Sequence, residues 1–252
     1  MSKYPAPKFE VVSYAGNAED VVLLRAFADQ RGGFFVDVGA GEPDSGSLTK
    51  NLVDQLDWRG VNIEPLPDRL ARLVEARPRD VNLCVAVGAK PGPAIFHRVL
   101  PVPGLEGGAG LSTLETRMIE MHRRTGWGSE EFEVKVVTLE SVLEAHAFPG
   151  FDLLKVDVEG SEAVVLASAD LRHWRPRAVV VEATLPDTAI PSHTEWEPQL
   201  LAAGYVLALF DGLNRFYARD DQPELQARLS VPANVTDRWI PAAWAELLGY
   251  DV

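Results

Sequence analysis

An apolar segment that ends in a glycine-containing turn constrains the fold of this chain more than any other feature. Phe34–Val38 is apolar apart from Asp37, and Gly39 and Gly41 follow it directly. Such a segment is typical of a strand that is covered on both faces of a parallel sheet. The two glycines allow positive φ and a close approach of the backbone to a ligand. The turn therefore lies where an open α/β sheet binds its ligand, at the carboxyl end of a strand.

The composition of this turn indicates the class of ligand. A dinucleotide fold would carry glycines spaced G-x-G-x-x-G at the start of a helix, where backbone amides cradle a pyrophosphate. Here Glu42 and Asp44 follow the glycines, and together with Asp37 they would repel a pyrophosphate. S-adenosylmethionine suits the turn better, because it carries an ammonium group, a sulfonium group and ribose hydroxyls.

A second predicted strand supports this interpretation. It covers residues 60–64 and ends in Glu64, which is placed to bind two ribose hydroxyls, as the acidic residue after the second strand does in nucleotide-binding folds. We therefore expect Asp37, Gly39, Gly41 and Glu64 to bind S-adenosylmethionine.

Charge and composition exclude several classes of protein. The net charge is −13, from 37 acidic against 24 basic side chains, which disfavours binding to a nucleic-acid backbone. No apolar segment approaches the ~18 residues of a membrane span, and residues 1–8 lack the apolar core of a signal peptide. Cys84 is the single cysteine, so no disulfide framework is available. We expect a cytoplasmic protein that binds a small molecule, and homo-oligomer formation is left open.

Strand and helix patterns alternate along most of the chain, which predicts a parallel sheet with right-handed crossovers in one domain, residues 1–252. A helical lead-in occupies residues 13–31. The predicted strands cover residues 34–38, 60–64, 81–87, 133–137, 151–160, 177–183, 205–210 and 215–218. The further predicted helices cover residues 47–56, 67–77, 161–169 and 196–203. The last two strands flank a tight turn and are expected to form an antiparallel edge hairpin.

The alternation stops between residues 90 and 131. Prolines and a glycine-rich stretch, residues 104–110, interrupt it, and a polar segment follows. An ordered loop of this length is uncommon unless it acts as a lid or a binding insertion. Because the chain then resumes the same sheet, we expect residues 90–131 to form a substrate-side lid, with a plain flexible linker as the alternative.

Several stretches match a known family. They are residues 17–20, 36–40 (VDVGA), 58–65 (WRGVNIEP), 83–87, 110–113, 154–162 (LKVDVEGSE), 196–198 and 211–215. On these stretches the chain resembles the FkbM family of S-adenosylmethionine-dependent methyltransferases over about residues 13–235. The resemblance implies a class I methyltransferase fold, which is Rossmann-like. Its seven-stranded sheet is mostly parallel, with helices on both faces and an antiparallel terminal hairpin strand. It also implies methyl transfer, typically to a hydroxyl of a sugar or polyketide in natural-product (including antibiotic) biosynthesis or in surface glycan assembly.

Methyl transfer to an alcohol needs an aligned acceptor and the removal of a proton. Asp157 lies at the end of a central strand and Glu182 near the end of the next, so the two carboxylates are expected side by side. They are candidate catalytic residues and candidate ligands of Mg²⁺, which would lower the pKa of the hydroxyl; a carboxylate acting without metal is the alternative. Strand alternation places Glu159 on the same side as Asp157, close enough to share a cation or an acceptor with it, and Glu159 is a candidate acceptor contact. Alternatively, it merely favours the following helix N-terminus.

The remaining candidate residues lie on loops and helix ends. His193, at the start of a helix, is a candidate general base, although a solvated histidine is the commoner case there. Asn214 and Arg215 close the hairpin turn and are candidate acceptor contacts, although asparagine is often simply a turn residue. Tyr14 and Asp20 lie around the start of the first helix and are expected to cover the cofactor.

These observations predict an S-adenosylmethionine-dependent methyltransferase that acts on a hydroxyl of a sugar or secondary metabolite. The first alternative is N-methylation of an amino sugar such as an aminoglycoside, which the acidic charge favours. The alternative from another class is a non-catalytic binding module with the same fold. A nucleotide-dependent oxidoreductase is disfavoured by the missing phosphate-binding loop.

Overall fold

The computed structural model describes residues 9–100, 110–186 and 188–250. Its strands are β1 (Val11–Ser13), β2 (Phe34–Val38), β3 (Arg59–Ile63), β4 (Val81–Leu83), β5 (Ala86–Val87), β6 (Gly92–Leu100), β7 (Gly128–Val137), β8 (Leu153–Val156), β9 (Ala178–Glu182), β10 (Tyr205–Phe210), β11 (Asn214–Arg219) and β12 (Trp239–Pro241). Its α-helices are α1 (Glu19–Ala26), α2 (Lys50–Leu56), α3 (Pro67–Ala76), α4 (Thr116–Arg124), α5 (Leu139–His146), α6 (Glu162–Ala167), α7 (Leu171–Trp174), α8 (Glu197–Ala202), α9 (Pro223–Leu229) and α10 (Ala242–Leu247).

The largest sheet within the described residues has seven strands, in the order β10-β11-β9-β8-β2-β3-β4. The five strands from β9 to β4 are parallel to one another. At the other edge β11 pairs antiparallel with both β9 and β10, so the sheet is mixed. The α/β class predicted from the sequence is confirmed, and β10 and β11 form the hairpin that was predicted at this edge.

Both faces of the sheet are covered by helices. On β2, Phe35 belongs to the apolar cluster formed with α1, α2 and α9. Its neighbours Val36 and Val38 belong to the cluster on the other face, which includes side chains of α5, α6 and α8. This alternation explains why the strand sequences are almost continuously apolar. It also leaves the strand ends as the place where polar side chains can gather.

The region around residues 81–131 differs from the prediction. The single strand expected over residues 81–87 is two strands: β4 belongs to the main sheet, whereas β5 pairs with β7. The irregular segment expected over residues 90–131 contains β6, which pairs antiparallel with β7 along its length, and α4. Pro93 does not break β6 because β6 is an edge strand, where a missing N–H is tolerated. Residues 101–109, which include most of the glycine-rich stretch, lie outside the described residues.

The first and last parts of the described chain pack together. β1 pairs with β12 in a small parallel sheet, and Arg25 on α1 forms an ion pair of 2.8 Å with Asp237. The lead-in segment is thereby fixed against the body of the domain. Among the described residues, no helix combines the length and the apolar character needed to cross a lipid bilayer.

The turn after β2 touches the end of β8 through backbone atoms. Asp157 donates its N–H to the Val38 carbonyl at 3.0 Å, and Gly39 adopts a φ of +80°. A Cβ atom at Gly39 would lie 1.8 Å from the Asp157 carbonyl oxygen. A glycine is therefore required at this position for both its conformation and its lack of a side chain.

The neighbouring glycine provides a matched control. Gly41 also has a positive φ, +61°, but no atom lies within 4 Å of a Cβ built on it. We expect Gly41→Ala to lower the free energy of unfolding by about 1–2 kcal/mol, the cost of the left-handed conformation alone. Gly39→Ala should cost several kcal/mol more, because β2 and β8 must separate. Urea denaturation measures both, and equal losses in the two variants would contradict this account of the junction.

Candidate active site

A cavity of about 570 Å³ lies at the carboxyl ends of the parallel strands. It brings together seven of the residues that the sequence singled out, although their positions span most of the chain. They are Gly39, Gly41, Glu64, Asp157, Glu159, Glu182 and Asn214. The β6–α4 region contributes Phe96, Ser112 and Leu114 to the wall.

One end of the cavity has the chemistry of a nucleoside site. Glu64 is 3% exposed, and its two carboxylate oxygens accept the N–H groups of Gly41 and Leu66, both at 2.9 Å. Burial raises the pKa of this carboxyl group, and the hydrogen bonds oppose the rise. Each oxygen retains a lone pair that can accept a ribose hydroxyl.

The same end offers apolar surface to a flat base. The cavity is lined by Ile63 at the end of β3, by Val85 and Val87 around β5, and by Phe96 on β6. Gly41 presents an open backbone there, since nothing lies within 4 Å of its Cβ position. The residues present therefore fit the adenosine part of S-adenosylmethionine.

The other end carries a cluster of carboxylates. Asp157, Glu159 and Glu182 each place one oxygen within 4.8 Å of the others. Burial is the main cause of the raised pKa values of Glu159 and Glu182, and repulsion from neighbouring carboxylates adds to it. Glu159 has a φ of +57°, an uncommon conformation for a residue with a side chain. This cluster can accept a proton or bind a cation.

Lys155, on β8, contacts the cluster through Asp157. Its ammonium group contacts Asp37 at 3.2 Å and Asp157 at 3.5 Å, and it donates a hydrogen bond of 2.5 Å to the Gly39 carbonyl. Burial opposes the charge of Lys155, but the two carboxylates outweigh this effect and raise its pKa. Lys155 is therefore a structural partner of two carboxylates.

Asp37, predicted as a cofactor contact, does not line the cavity that the described residues form. It is 1% exposed, binds Lys155 and accepts a hydrogen bond of 3.1 Å from the Thr49 hydroxyl. Alternation along β2 directs it towards α2, the same side as Phe35. In this position it holds Lys155 through their ion pair.

Four further predicted residues lie outside the cavity walls of the described chain. Asp20 is fully buried and accepts hydrogen bonds from the Ser13 hydroxyl and the Asn51 amide, so it ties α1 to its neighbours. Tyr14 lies against the ammonium group of Lys50, 4.6 Å from the ring centre. The predicted cofactor contacts of Asp20 and Tyr14 are not supported by these positions.

His193 and Arg215 are likewise displaced from the cavity. His193 begins a short 3-10 helix, His193–Glu195, and its ring packs on Trp196 with 6.5 Å between ring centres. Arg215 pairs with Glu197 at 2.6 Å, because alternation along β11 turns it away from the side that Asn214 faces. Neither residue is part of the cavity lining among the described residues.

Glu19 is a cavity residue that the sequence reasoning missed. It is 1% exposed and accepts hydrogen bonds from the Asn214 amide at 2.6 Å and the Asn17 N–H at 2.7 Å. Burial raises its pKa to about 7. The signal available in the sequence was its position in the matching stretch at residues 17–20, which also contains Asp20.

Glu162 stabilises the turn that carries Glu159. It is 2% exposed, and its Oε1 atom accepts the N–H groups of Val158 at 3.1 Å and Gly160 at 3.0 Å. Burial raises its pKa from 4.5 to about 7, and these hydrogen bonds oppose the rise.

This shift predicts an unusual pH dependence of stability. Between pH 4.5 and about 7 the unfolded chain has released the Glu162 proton while the folded chain retains it, so the free energy of unfolding falls as pH rises. Glu162→Gln keeps the accepting oxygen and removes the titration. We expect the stability of the wild type relative to Glu162→Gln to decline by about 1–3 kcal/mol across this window in urea denaturation. A constant or rising difference would show that Glu162 is ionised when folded.

Comparisons with known proteins place the chain in a family. The Methyltransferase FkbM domain matches residues 37–207. Among solved structures, the chain is similar to precorrin-6y C5,15-methyltransferase from Geobacter metallireducens GS-15 at 14% identity, covering 86% of this chain and 98% of that chain with a TM-score of 0.41. It is also similar to the small RNA methyltransferase HEN1 at 11% identity, covering 88% of this chain and 28% of that chain with a TM-score of 0.37. No curated protein matches. Because the domain match spans more than half of its length, the chain belongs to the FkbM methyltransferase family.

Proposed function

We propose that this protein transfers the methyl group of S-adenosylmethionine to a hydroxyl of a small acceptor, a sugar or another secondary metabolite. The observation that carries the proposal is that one cavity joins Glu64, suited to a ribose, to the carboxylate cluster, suited to an acceptor. The two ends lie at the carboxyl edges of neighbouring parallel strands. Membership of the FkbM methyltransferase family supports the reaction class.

The cofactor end follows the arrangement of class I methyltransferases. Gly39 and Gly41 follow the central strand β2, and Glu64 follows the adjacent strand β3. Glu64 is held rigidly by its two backbone hydrogen bonds, so its remaining lone pairs are oriented before a ligand arrives. Such preorganisation lowers the entropy that binding must overcome.

The chemistry demands alignment and one proton acceptor. S-adenosylmethionine supplies an electrophilic methyl group: an O–CH₃ bond forms as the C–S bond breaks, and the electron pair of that bond stays with sulfur. The hydroxyl proton passes to a carboxylate, for which Asp157 and Glu182 are the candidates that line the cavity. A divalent cation such as Mg²⁺ at the same carboxylates would make the hydroxyl more acidic.

The carboxylate cluster also favours a second acceptor class. Buried carboxylates without a full complement of hydrogen bonds stabilise an ammonium group, and the whole chain is acidic. N-methylation of an amino sugar such as an aminoglycoside is therefore the alternative reaction. In either case the proposal includes a small-molecule partner, a role in natural-product or antibiotic biosynthesis and a cytoplasmic location.

The cofactor assignment predicts a specific loss of binding. Removing the Glu64 carboxylate should weaken S-adenosylhomocysteine binding by about 10- to 100-fold, because a charged hydrogen-bond acceptor for the ribose is lost. Isothermal titration calorimetry on Glu64→Ala measures this, with Glu75→Ala, an exposed acidic residue on α3, as the matched control. Unchanged affinity in Glu64→Ala would remove Glu64 from the cofactor site. Absence of binding in the wild type would sink the cofactor assignment as a whole.

The acceptor assignment predicts which atom carries the new methyl group. We expect mass spectrometry of reactions with matched hydroxyl and amine sugars to show methylation on oxygen, with at least a 100-fold lower rate in Asp157→Asn. Methylation on nitrogen would select the alternative reaction. Cofactor binding without a product from either acceptor panel would instead favour a non-catalytic module, and full turnover in Asp157→Asn would exclude that residue from the mechanism.

A further inference from the structure

We propose that Asp157, Glu159 and Glu182 together bind one divalent cation of the Mg²⁺ class. The sequence suggested Asp157 and Glu182 as ligands and separately placed Glu159 close enough to Asp157 to share a cation; the structure brings all three carboxylates into one cluster. The function of the cation at this site rests on the proposed methyl transfer to a hydroxyl. Its binding can be measured without cofactor or acceptor.

The spacing of the three side chains fits one ion. Their closest oxygens lie within 4.8 Å of one another. Two oxygens bound to one ion are at most about 4 Å apart for Mg²⁺, which binds oxygen at about 2.0–2.1 Å, and about 5 Å apart for Ca²⁺, which binds at about 2.3–2.6 Å. Small side-chain rotations therefore suffice to bring all three onto an ion. Three carboxylate ligands leave positions for water and for an oxygen of the acceptor.

An unsatisfied buried carboxylate supplies independent support. Glu182 is 6% exposed and lines the cavity, and its Oε2 atom has no hydrogen-bond partner among the described residues. The Oε2 atom of Glu159 is also buried and has no hydrogen-bond partner among the described residues. Buried polar atoms are almost always paired with protein, water or an ion. Two such oxygens in a three-carboxylate cluster are free ligand atoms for the proposed cation.

The nearby lysine does not neutralise the cluster. The ammonium group of Lys155 contacts Asp37 and Asp157, and it also donates to a backbone carbonyl. Its single charge is thus shared between Asp157, which belongs to the cluster, and Asp37, which does not. Glu159 and Glu182 take part in neither of these ion pairs, and both become negatively charged when a cation displaces their protons. A divalent cation would compensate the charge of both.

The chain holds the third ligand in a strained conformation. Glu159 has a positive φ, and its carbonyl accepts a hydrogen bond of 2.9 Å from the Thr113 hydroxyl. Glu162 holds the N–H groups on both sides of Glu159 through its Oε1 atom. Thr113 belongs to the segment before α4, so part of the predicted lid region fixes this ligand. We assign Thr113 as a positioning residue of the cation site.

Manganese provides a direct test on the purified, full-length protein without S-adenosylmethionine. Electron paramagnetic resonance of free Mn²⁺ should show one bound ion per chain, and added Mg²⁺ should displace it. Glu182→Gln and Glu159→Gln should each weaken Mn²⁺ binding at least tenfold. Glu144→Gln, which makes the same change at an exposed position on α5, should leave it unchanged. Circular dichroism shows whether each variant is folded. If Glu182→Gln does not fold, the Mn²⁺ affinity of Glu159→Gln alone tests the cation site.

The positioning role has its own pair of variants. Thr113→Val removes the hydroxyl donor and should weaken Mn²⁺ binding by about 10-fold, as loss of an outer-shell partner does. Thr113→Ser retains the hydroxyl and should restore the wild-type affinity. A purely structural role for Thr113 would lower thermal stability in Thr113→Val without changing the Mn²⁺ affinity.

Two results would overturn the proposal. One is the absence of Mn²⁺ binding at millimolar concentrations, which would leave the cluster to protons, the sulfonium or an acceptor ammonium. The other is equal Mn²⁺ affinity in the wild type, Glu159→Gln and Glu182→Gln. Either result together with intact S-adenosylhomocysteine binding would reject the cation site alone. Loss of S-adenosylhomocysteine binding in the wild type would instead reject the proposed function.

Discussion

The rest of the site depends on the contacts that the buried ammonium group of Lys155 makes. It joins Asp37 on β2, Asp157 after β8 and the carbonyl of Gly39 in the turn between cofactor and acceptor ends. A buried lysine is tolerated here because two carboxylates compensate its charge. It thereby fixes the relative position of the two strand ends, and glycine at position 39 lets them approach through backbone atoms.

This junction divides the cavity into two chemical environments. On one side, Glu64 and the apolar ends of β3 and β5 form a surface for a nucleoside. On the other, the three carboxylates Asp157, Glu159 and Glu182 form a surface for protons or cations. Methyl transfer needs these environments adjacent, because the sulfur, the methyl carbon and the acceptor atom must be in line. The parallel sheet places them together by aligning the ends of its strands.

The sequence was sufficient to predict the features that follow from the spacing of apolar residues and from the order of the strands along the chain. The sequence predicted the apolar strands and the glycine turn. It also predicted the strand-end acids Glu64, Asp157 and Glu182, which line one cavity together with the turn. The direction in which a single side chain points was harder to predict. Side chains alternate between the two faces of a strand, so the face depends on the residue at which the strand ends. Asp37 therefore faces α2, and His193 packs on its own helix. Contacts between distant segments, such as Glu19 with Asn214, have no local signature in one sequence.

The central claim is that one cavity binds the cofactor at Glu64 and the acceptor at the carboxylate cluster. The most direct measurement is a crystal structure of the protein grown with S-adenosylhomocysteine and Mn²⁺. The account predicts ribose hydroxyls on the Glu64 carboxylate, the sulfur directed towards Asp157, and an anomalous Mn²⁺ peak between Asp157, Glu159 and Glu182. A nucleoside bound away from Glu64, or with its sulfur directed away from the carboxylates, would contradict it.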